Sequence, residues 1–384
     1  MSYRDRTSTL GPKKLLALDG GGIRGVLTLE ILAAIEDLLR HELGAGDDFV
    51  LADYFDYIAG TSTGAIVAAG LARGMRVKEL KNLYAARGAE MFDKAFITKR
   101  FQYKYDSSRL RGLLQEFFGA EITFGDDRLR TLLMMVLRNA STDSPWPLSN
   151  NPQAKYNQAD RADNNLLLPL WQLVRASAAA PTFFPPEVVT IGPHDFVFVD
   201  GGLTMYNNPA FQLFLMATLN VYGLEWPAGE DEMLLVSVGT GTSPKANENL
   251  QPGDMNLLFN AGSVPSALMA AALNEQDLLC RVFGRCRHGA PLDREVGDLR
   301  TGPGILDRRM FTYLRYNAEL TRSGLDELGL EDIQPEDVQR LDSVAHIGDL
   351  QRVGMRAARA ARREHFAGFL RQPQHPAAAS ATEG

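Results

Sequence analysis

Three short glycine-containing segments, each placed where an apolar run ends, constrain this chain more than any other feature. They are Asp19-Gly20-Gly21-Gly22-Ile23-Arg24-Gly25, Gly60-Thr61-Ser62-Thr63-Gly64 and Asp200-Gly201-Gly202. In an open α/β sheet, ligands sit at the edge where strands end and the backbone turns sharply. Three separate stretches of chain are therefore expected to meet at one crevice.

The flanking sequence supports such a sheet. Lys14 to Leu18 reads as a short buried strand running into the first glycine cluster, and Val26 to Leu43 reads as a helix. In that helix Leu27, Ile31, Leu32, Ile35, Leu38 and Leu39 recur at three-and-four spacing, and Gly44 is a natural stop. The unit repeats as a strand over Tyr54 to Ala59, a turn over Gly60 to Gly64 and a helix over Ala65 to Arg73, ended by Gly74. Further strands are predicted at Thr131 to Leu137, Val188 to Ile191, Phe196 to Val199 and Leu234 to Val238. Helices are predicted at Leu80 to Ala89, Ser108 to Phe118, Leu170 to Ala179 and Ala210 to Tyr222, the last capped by Asn208 with Pro209 in its first turn. Alternating strands and helices imply a sheet between helical layers. Ser144 to Asn165 lacks periodicity and reads as a long surface loop, and from Leu268 onward the chain reads as mainly helical and strongly charged. The expected organisation is a mobile N-terminus over 1–12, one catalytic domain over 13–325, a helical extension over 326–371 and a disordered tail over 372–384.

With 384 residues, 45% of them hydrophobic, the chain has material for a substantial core. Its apolar runs are shorter than the roughly 20 residues of a spanning helix, and no export signal pattern opens it, so a cytoplasmic protein is expected. The two cysteines, Cys280 and Cys286, read as free thiols in a reducing compartment. A net charge of −7 argues against a general binder of nucleic-acid polymers.

Each motif has a chemical and a bland reading. Gly-x-Ser-x-Gly between a strand and a helix is a nucleophile elbow that would project the Ser62 hydroxyl into the crevice near a helix N-terminus; otherwise Thr61, Ser62 and Thr63 simply cap that helix. Gly20 to Gly25 fits Gly-x-Gly-x-x-Gly and must be weighed as a nucleotide loop, although no acidic residue ends a second strand about 20 residues on. The same exposed amides suit a tetrahedral oxyanion, and Arg24 suits a phosphate. Asp200, after the apolar strand Phe196 to Val199, is either the base for a serine hydroxyl or an ordinary Asp-Gly turn. Of the six histidines only His194 and His288 fall in expected core segments, and neither stands where a triad needs it, so a Ser and Asp dyad is preferred.

In these three motifs the sequence resembles the patatin-like phospholipases of bacterial type. Ala176-Ser177-Ala178-Ala179-Ala180-Pro181 with Phe183-Phe184, Asn207-Asn208-Pro209 and Val236 to Gly241 extend the likeness. The resemblance implies an α/β fold, a three-layer α/β/α sandwich, here with a helical C-terminal extension. It implies Ser62 as nucleophile, Asp200 as general base, Gly20, Gly21 and Gly22 as the oxyanion hole, and Arg24 as support for phosphate or oxyanion. Gly25, Gly60, Gly64, Gly201 and Gly202 fill the remaining motif positions. It implies no metal and no cofactor, and cleavage of phospholipid acyl esters through an acyl-serine. A peripheral, transient contact with the inner membrane surface is expected through the basic and aromatic run Met91 to Tyr105, including Lys94, Lys99, Arg100 and Lys104. Two alternatives stay open: a nucleotide-binding regulatory module, and a phospholipase of bacterial antiviral defence switched on by a small cyclic nucleotide. Oligomeric state is not legible.

Overall fold

The computed structural model describes residues 2–92, 107–181, 184–243, 257–293, 295–301 and 306–370. The basic run expected at the membrane lies almost wholly outside them, as does the tail from 371 onward.

Among the described residues nine strands form one mixed sheet: β1 (Lys13–Leu18), β2 (Tyr57–Thr61), β3 (Leu132–Asn139), β4 (Ser144–Ser149), β5 (Glu187–Ile191), β6 (His194–Asp200), β7 (Met233–Val238), β8 (Arg285–His288) and β9 (Thr312–Tyr316). Strands β3, β2, β1, β7, β9 and β8 lie side by side and parallel. Every residue of β1, β2, β7 and β9 is buried, as a strand covered by helices on both faces must be.

The helices are α1 (Gly25–Glu42), α2 (Leu51–Tyr54), α3 (Thr63–Ala72), α4 (Val77–Phe92), α5 (Ser107–Phe118), α6 (Leu170–Ser177), α7 (Ala210–Thr218), α8 (Leu257–Phe283), α9 (Arg322–Glu327), α10 (Pro335–Gln339) and α11 (Ile347–Ala358). Helix α1 packs with α4 and α11, and α7 packs with α8. The expected stops hold: Gly44 and Gly74 both take positive φ, the left-handed conformation that closes a helix.

The antiparallel end of the sheet decides where Asp200 falls. Strand β3 bonds β2 through its even-numbered residues, as in the Leu132 amide to the Asp56 carbonyl at 3.1 Å, and the Ala140 amide reaches the Val197 carbonyl of β6 at 2.8 Å. Strand β6 therefore occupies the same edge of β3 beyond the point where β2 stops. Thr61 pairs with Val136, and Asp200 with Leu137, the next residue. The strand ends carrying Ser62 and Asp200 meet head to head.

Four expectations need correction. The stretch from Ser144 contains strand β4 despite Pro145 and Pro147; those residues face Arg138 and Val136, and β4 has no neighbour on its outer side among the described residues, where a missing N–H costs no ladder bond. The region after Leu268 holds two strands, β8 and β9, as well as helices. The N-terminal stretch, described from residue 2, is not a detached arm. Tyr3 is fully buried, its amide bonds the Leu129 carbonyl at 2.8 Å, and Arg6 pairs with Asp56 at 3.0 Å. His194, expected in the core, lies on an exposed stretch of β6.

Candidate active site

Ser62 stands between β2 and α3 with φ 54° and ψ −121°, a conformation that L-residues rarely adopt and that costs on the order of 1–3 kcal/mol. The turn closes this tightly because Gly60 and Gly64 lack side chains. A Cβ on Gly60 would lie 2.1 Å from the Gly64 carbonyl oxygen, and one on Gly64 would lie 2.3 Å from that of Leu18. The cap reading of this segment fails, since Ser62 makes no side-chain bond to the helix backbone and Thr61 donates its hydroxyl to the Tyr206 carbonyl at 2.7 Å.

The Ser62 hydroxyl donates instead to Oδ2 of Asp200 at 2.6 Å. The other carboxylate oxygen, Oδ1, accepts the Gly202 amide at 2.7 Å, so Asp200 does cap its own turn but with the oxygen that does not face the serine. The Asp-Gly turn and the bond from the serine hydroxyl thus coexist, on different carboxylate oxygens. Burial pushes Asp200 up to about 6, while the bonds from Ser62 and Gly202 pull the other way. A carboxylate near 6 is ionised at neutral pH yet basic enough to take a hydroxyl proton as it leaves.

Ser177, at the end of α6, holds the elbow from behind. Its hydroxyl accepts the Ser62 amide at 3.0 Å and donates to the Val136 carbonyl at 2.6 Å. In the sequence Ser177 stands out only as part of the segment Ala176 to Pro181 that extends the family likeness, with no role of its own, because its partners lie 115 and 41 residues away.

The glycine loop, expected to offer three amides, offers two. Gly20 donates to the Asn207 carbonyl at 3.0 Å, while the amides of Gly21 and Gly22 meet no acceptor among the described residues, and both glycines line the cavity at Ser62. The loop is fixed at each end. Thr240 donates to the Gly20 carbonyl at 2.9 Å, and the Ile23 amide donates to the Leu341 carbonyl at 3.0 Å. Arg24 is buried and gives Nη1 to the Gln339 carbonyl at 3.2 Å, leaving Nε without a partner; burial lowers it to about 10, still charged at neutral pH. Asp19, which opens the motif, is clamped bidentately by Arg315 of β9 at 2.9 and 2.6 Å. That carboxylate directly follows β1 and so ties the start of the glycine loop to β9.

These groups open onto a cavity of about 1530 Å³, larger than the roughly 300–1,000 Å³ of ordinary small-ligand sites. Its lining includes the apolar residues Phe92, Ala178, Pro181, Phe184 and Leu203. No helix of the described residues is long and apolar enough to cross a membrane.

The fold and site thus define an α/β protein with a strained elbow serine bonded to an aspartate and faced by a glycine loop. The patatin-like phospholipase family model matches residues 16–214, more than half of the chain, and the protein belongs to that family. A cGAMP-activated phospholipase of Vibrio cholerae is 31% identical over 59% of this chain and 64% of its own length. An intracellular phospholipase A2 of Caenorhabditis elegans is 31% identical over 60% of this chain and 20% of its own. Patatin-T5 of Solanum tuberosum is 29% identical over 62% of each. The matched region spans less than two thirds of each of these relatives.

Proposed function

We propose that this protein is a lipid acyl hydrolase that cleaves phospholipid acyl esters with Ser62 and Asp200. The observation that carries this reading is the 2.6 Å bond from the Ser62 hydroxyl to Asp200 beside two unpaired glycine amides. Asp200 takes the proton as Ser62 attacks the ester carbonyl, and the Gly21 and Gly22 amides receive the oxyanion. The alcohol leaves with a proton returned by Asp200, an acyl-serine remains, and the same carboxylate deprotonates the water that releases the fatty acid. The apolar residues in the lining of the cavity suit an acyl chain. Arg24, buried beside the loop, stiffens it through Gln339 and contributes positive charge near the oxyanion.

A cytoplasmic enzyme working at the inner membrane surface fits this chemistry, with Lys94, Lys99, Arg100 and Lys104 supplying charge toward anionic lipid. Activation by a small nucleotide is a second reading, favoured by relatives named cGAMP-activated phospholipases in Vibrio cholerae and Escherichia coli. The test is mass spectrometry of a mixed phospholipid extract incubated with the protein, with and without cGAMP. Free fatty acid and lysophospholipid should appear with the wild type and not with Ser62→Ala. Intact lipids under both conditions would overturn the hydrolase reading.

A further inference from the structure

The oxyanion loop is held at its start by a residue that belongs to none of the three glycine motifs. Arg315, on β9, is buried, as is Asp19, and it lines the same cavity as Gly20, Gly21 and Gly22. Its guanidinium makes three hydrogen bonds at once. Nη1 donates to Oδ1 of Asp19 at 2.9 Å and to the Ser237 hydroxyl oxygen at 2.7 Å, while Nη2 donates to Oδ2 of Asp19 at 2.6 Å. Ser237 in turn donates to Oδ1 of Asn208 at 3.3 Å. The residue before it, Asn207, supplies the carbonyl that accepts the Gly20 amide. One side chain therefore reaches Gly20 from two directions, through the residue ahead of it and through the loop that takes its amide.

The backbone at Asp19 has little room to shift. Its amide donates to the Val238 carbonyl at 3.1 Å, and its own carbonyl oxygen lies 2.7 Å from where a Cβ on Gly64 of the elbow would stand. A displaced Asp19 would press on the serine elbow or carry the glycine loop away from it. Net stability is a poor reason for such a pair, because the cost of desolvating two charges offsets much of their attraction. Orientation is a better one, since a bidentate fork fixes both distance and plane. Charge adds a second reason. Asp19 stands two residues before Gly21, and a bare carboxylate there would oppose the negative charge that forms on the ester oxygen.

We infer that Arg315 is a positioning residue for the oxyanion loop: it holds Asp19 so that the Gly21 and Gly22 amides meet the oxyanion, and it neutralises the carboxylate that opens the loop. It acts through Asp19 rather than on the substrate. This role rests on the hydrolase reading above.

The experiment compares the full-length wild type with Arg315→Gln, with Arg315→Lys and with a double variant carrying Arg315→Gln and Asp19→Asn. Turnover is measured on a soluble short-chain p-nitrophenyl ester, and circular dichroism with thermal unfolding reports the fold. Arg315→Gln leaves a buried charge without its partner and is expected to unfold at lower temperature. The double variant leaves none, so it separates positioning from stability. It should be folded, yet its kcat should fall by about a hundredfold, the scale of one lost oxyanion donor, with KM within about twofold of the wild type. Arg315→Lys keeps the charge but loses the fork, and its kcat should lie between the two. Affinity for a trifluoromethyl ketone, whose serine adduct carries the same oxyanion, should fall with kcat. A folded double variant with wild-type kcat, or one in which KM rises while kcat holds, overturns the inference. Should the double variant fail to fold, Arg315→Lys decides alone, and wild-type kcat there overturns it. A wild type that hydrolyses no ester overturns the hydrolase reading and this role with it, whereas turnover by the wild type with kcat unchanged in the variants overturns this role alone.

Discussion

Asp200 should destabilise the folded protein at the pH where it works. The residue is 6% exposed, and folding raises its titration point from 3.8 to about 6. The sign follows from linkage: below pH 3.8 the group is protonated in both states, and between 3.8 and about 6 the folded state holds more protons. Stability present in acid is therefore lost as pH rises through that window. At about 1.4 kcal/mol per pH unit, the full loss is about 3 kcal/mol above pH 7. Asn at this position cannot ionise, can still accept the Gly202 amide and can donate to the Ser62 hydroxyl. Asp200→Asn should thus be inactive and more stable than the wild type, by about 3 kcal/mol at pH 8 and by only about 0.5 kcal/mol at pH 4. For 384 residues the unfolding entropy is roughly 0.8 kcal/mol per degree, so the gain corresponds to a Tm about 4 °C higher at pH 8. Urea and thermal unfolding of both proteins across pH 4 to 8 measure it. A variant less stable than the wild type at pH 8, or a gap independent of pH, would refute the reasoning.

Three further outcomes follow from the same geometry. Ser62→Ala and Asp200→Asn should each lower kcat by on the order of 10⁴ or more with the fold retained, and the double variant should be no worse than either, because the pair acts as a unit; kcat/KM of the wild type should fall as pH drops through about 6, and His194→Ala, on an exposed position, should leave turnover unchanged. Ser62→Gly should raise stability by about 1 kcal/mol while Ser62→Ala does not, since only glycine relieves the positive φ; equal unfolding midpoints would show that the elbow stores no strain. Gly22→Ala should cut kcat with little change in KM, because a Cβ there would lie 2.3 Å from the Leu341 carbonyl at a φ of +59° and push the oxyanion amides aside; unchanged kcat on a soluble ester would free that loop from its assigned role.

The parts of the site legible in the sequence are those fixed by local backbone demands. The β1 loop, the Ser62 elbow and the Asp200 turn each need glycine within two residues of the reactive position, so the residue types announce the geometry. The contacts that complete the site join distant segments and leave no local trace. Ser177 behind Ser62, Arg315 on Asp19, and the Leu341 carbonyl on Ile23 are examples. Strand β9 escaped for a related reason. Thr312-Tyr313-Leu314-Arg315-Tyr316 carries a charge that looks solvent-facing until Asp19, 296 residues away, neutralises it. Strand β4 was hidden by prolines whose missing donors matter only if a neighbour lies outside. Nor could the bond from the Gly20 amide to a carbonyl on the loop before α7 be foreseen, since that loop lies far away in the sequence.

The central claim is that Ser62 is a nucleophile activated by Asp200, and covalent trapping tests it most directly. The folded protein is treated with a fluorophosphonate at pH 7.5, digested and mapped by mass spectrometry. The account predicts a single phosphonyl adduct on Ser62 of the wild type, and none on Asp200→Asn under the same conditions although that variant is folded. An adduct on another residue, or labelling of Ser62 at the wild-type rate without the Asp200 carboxylate, would contradict it.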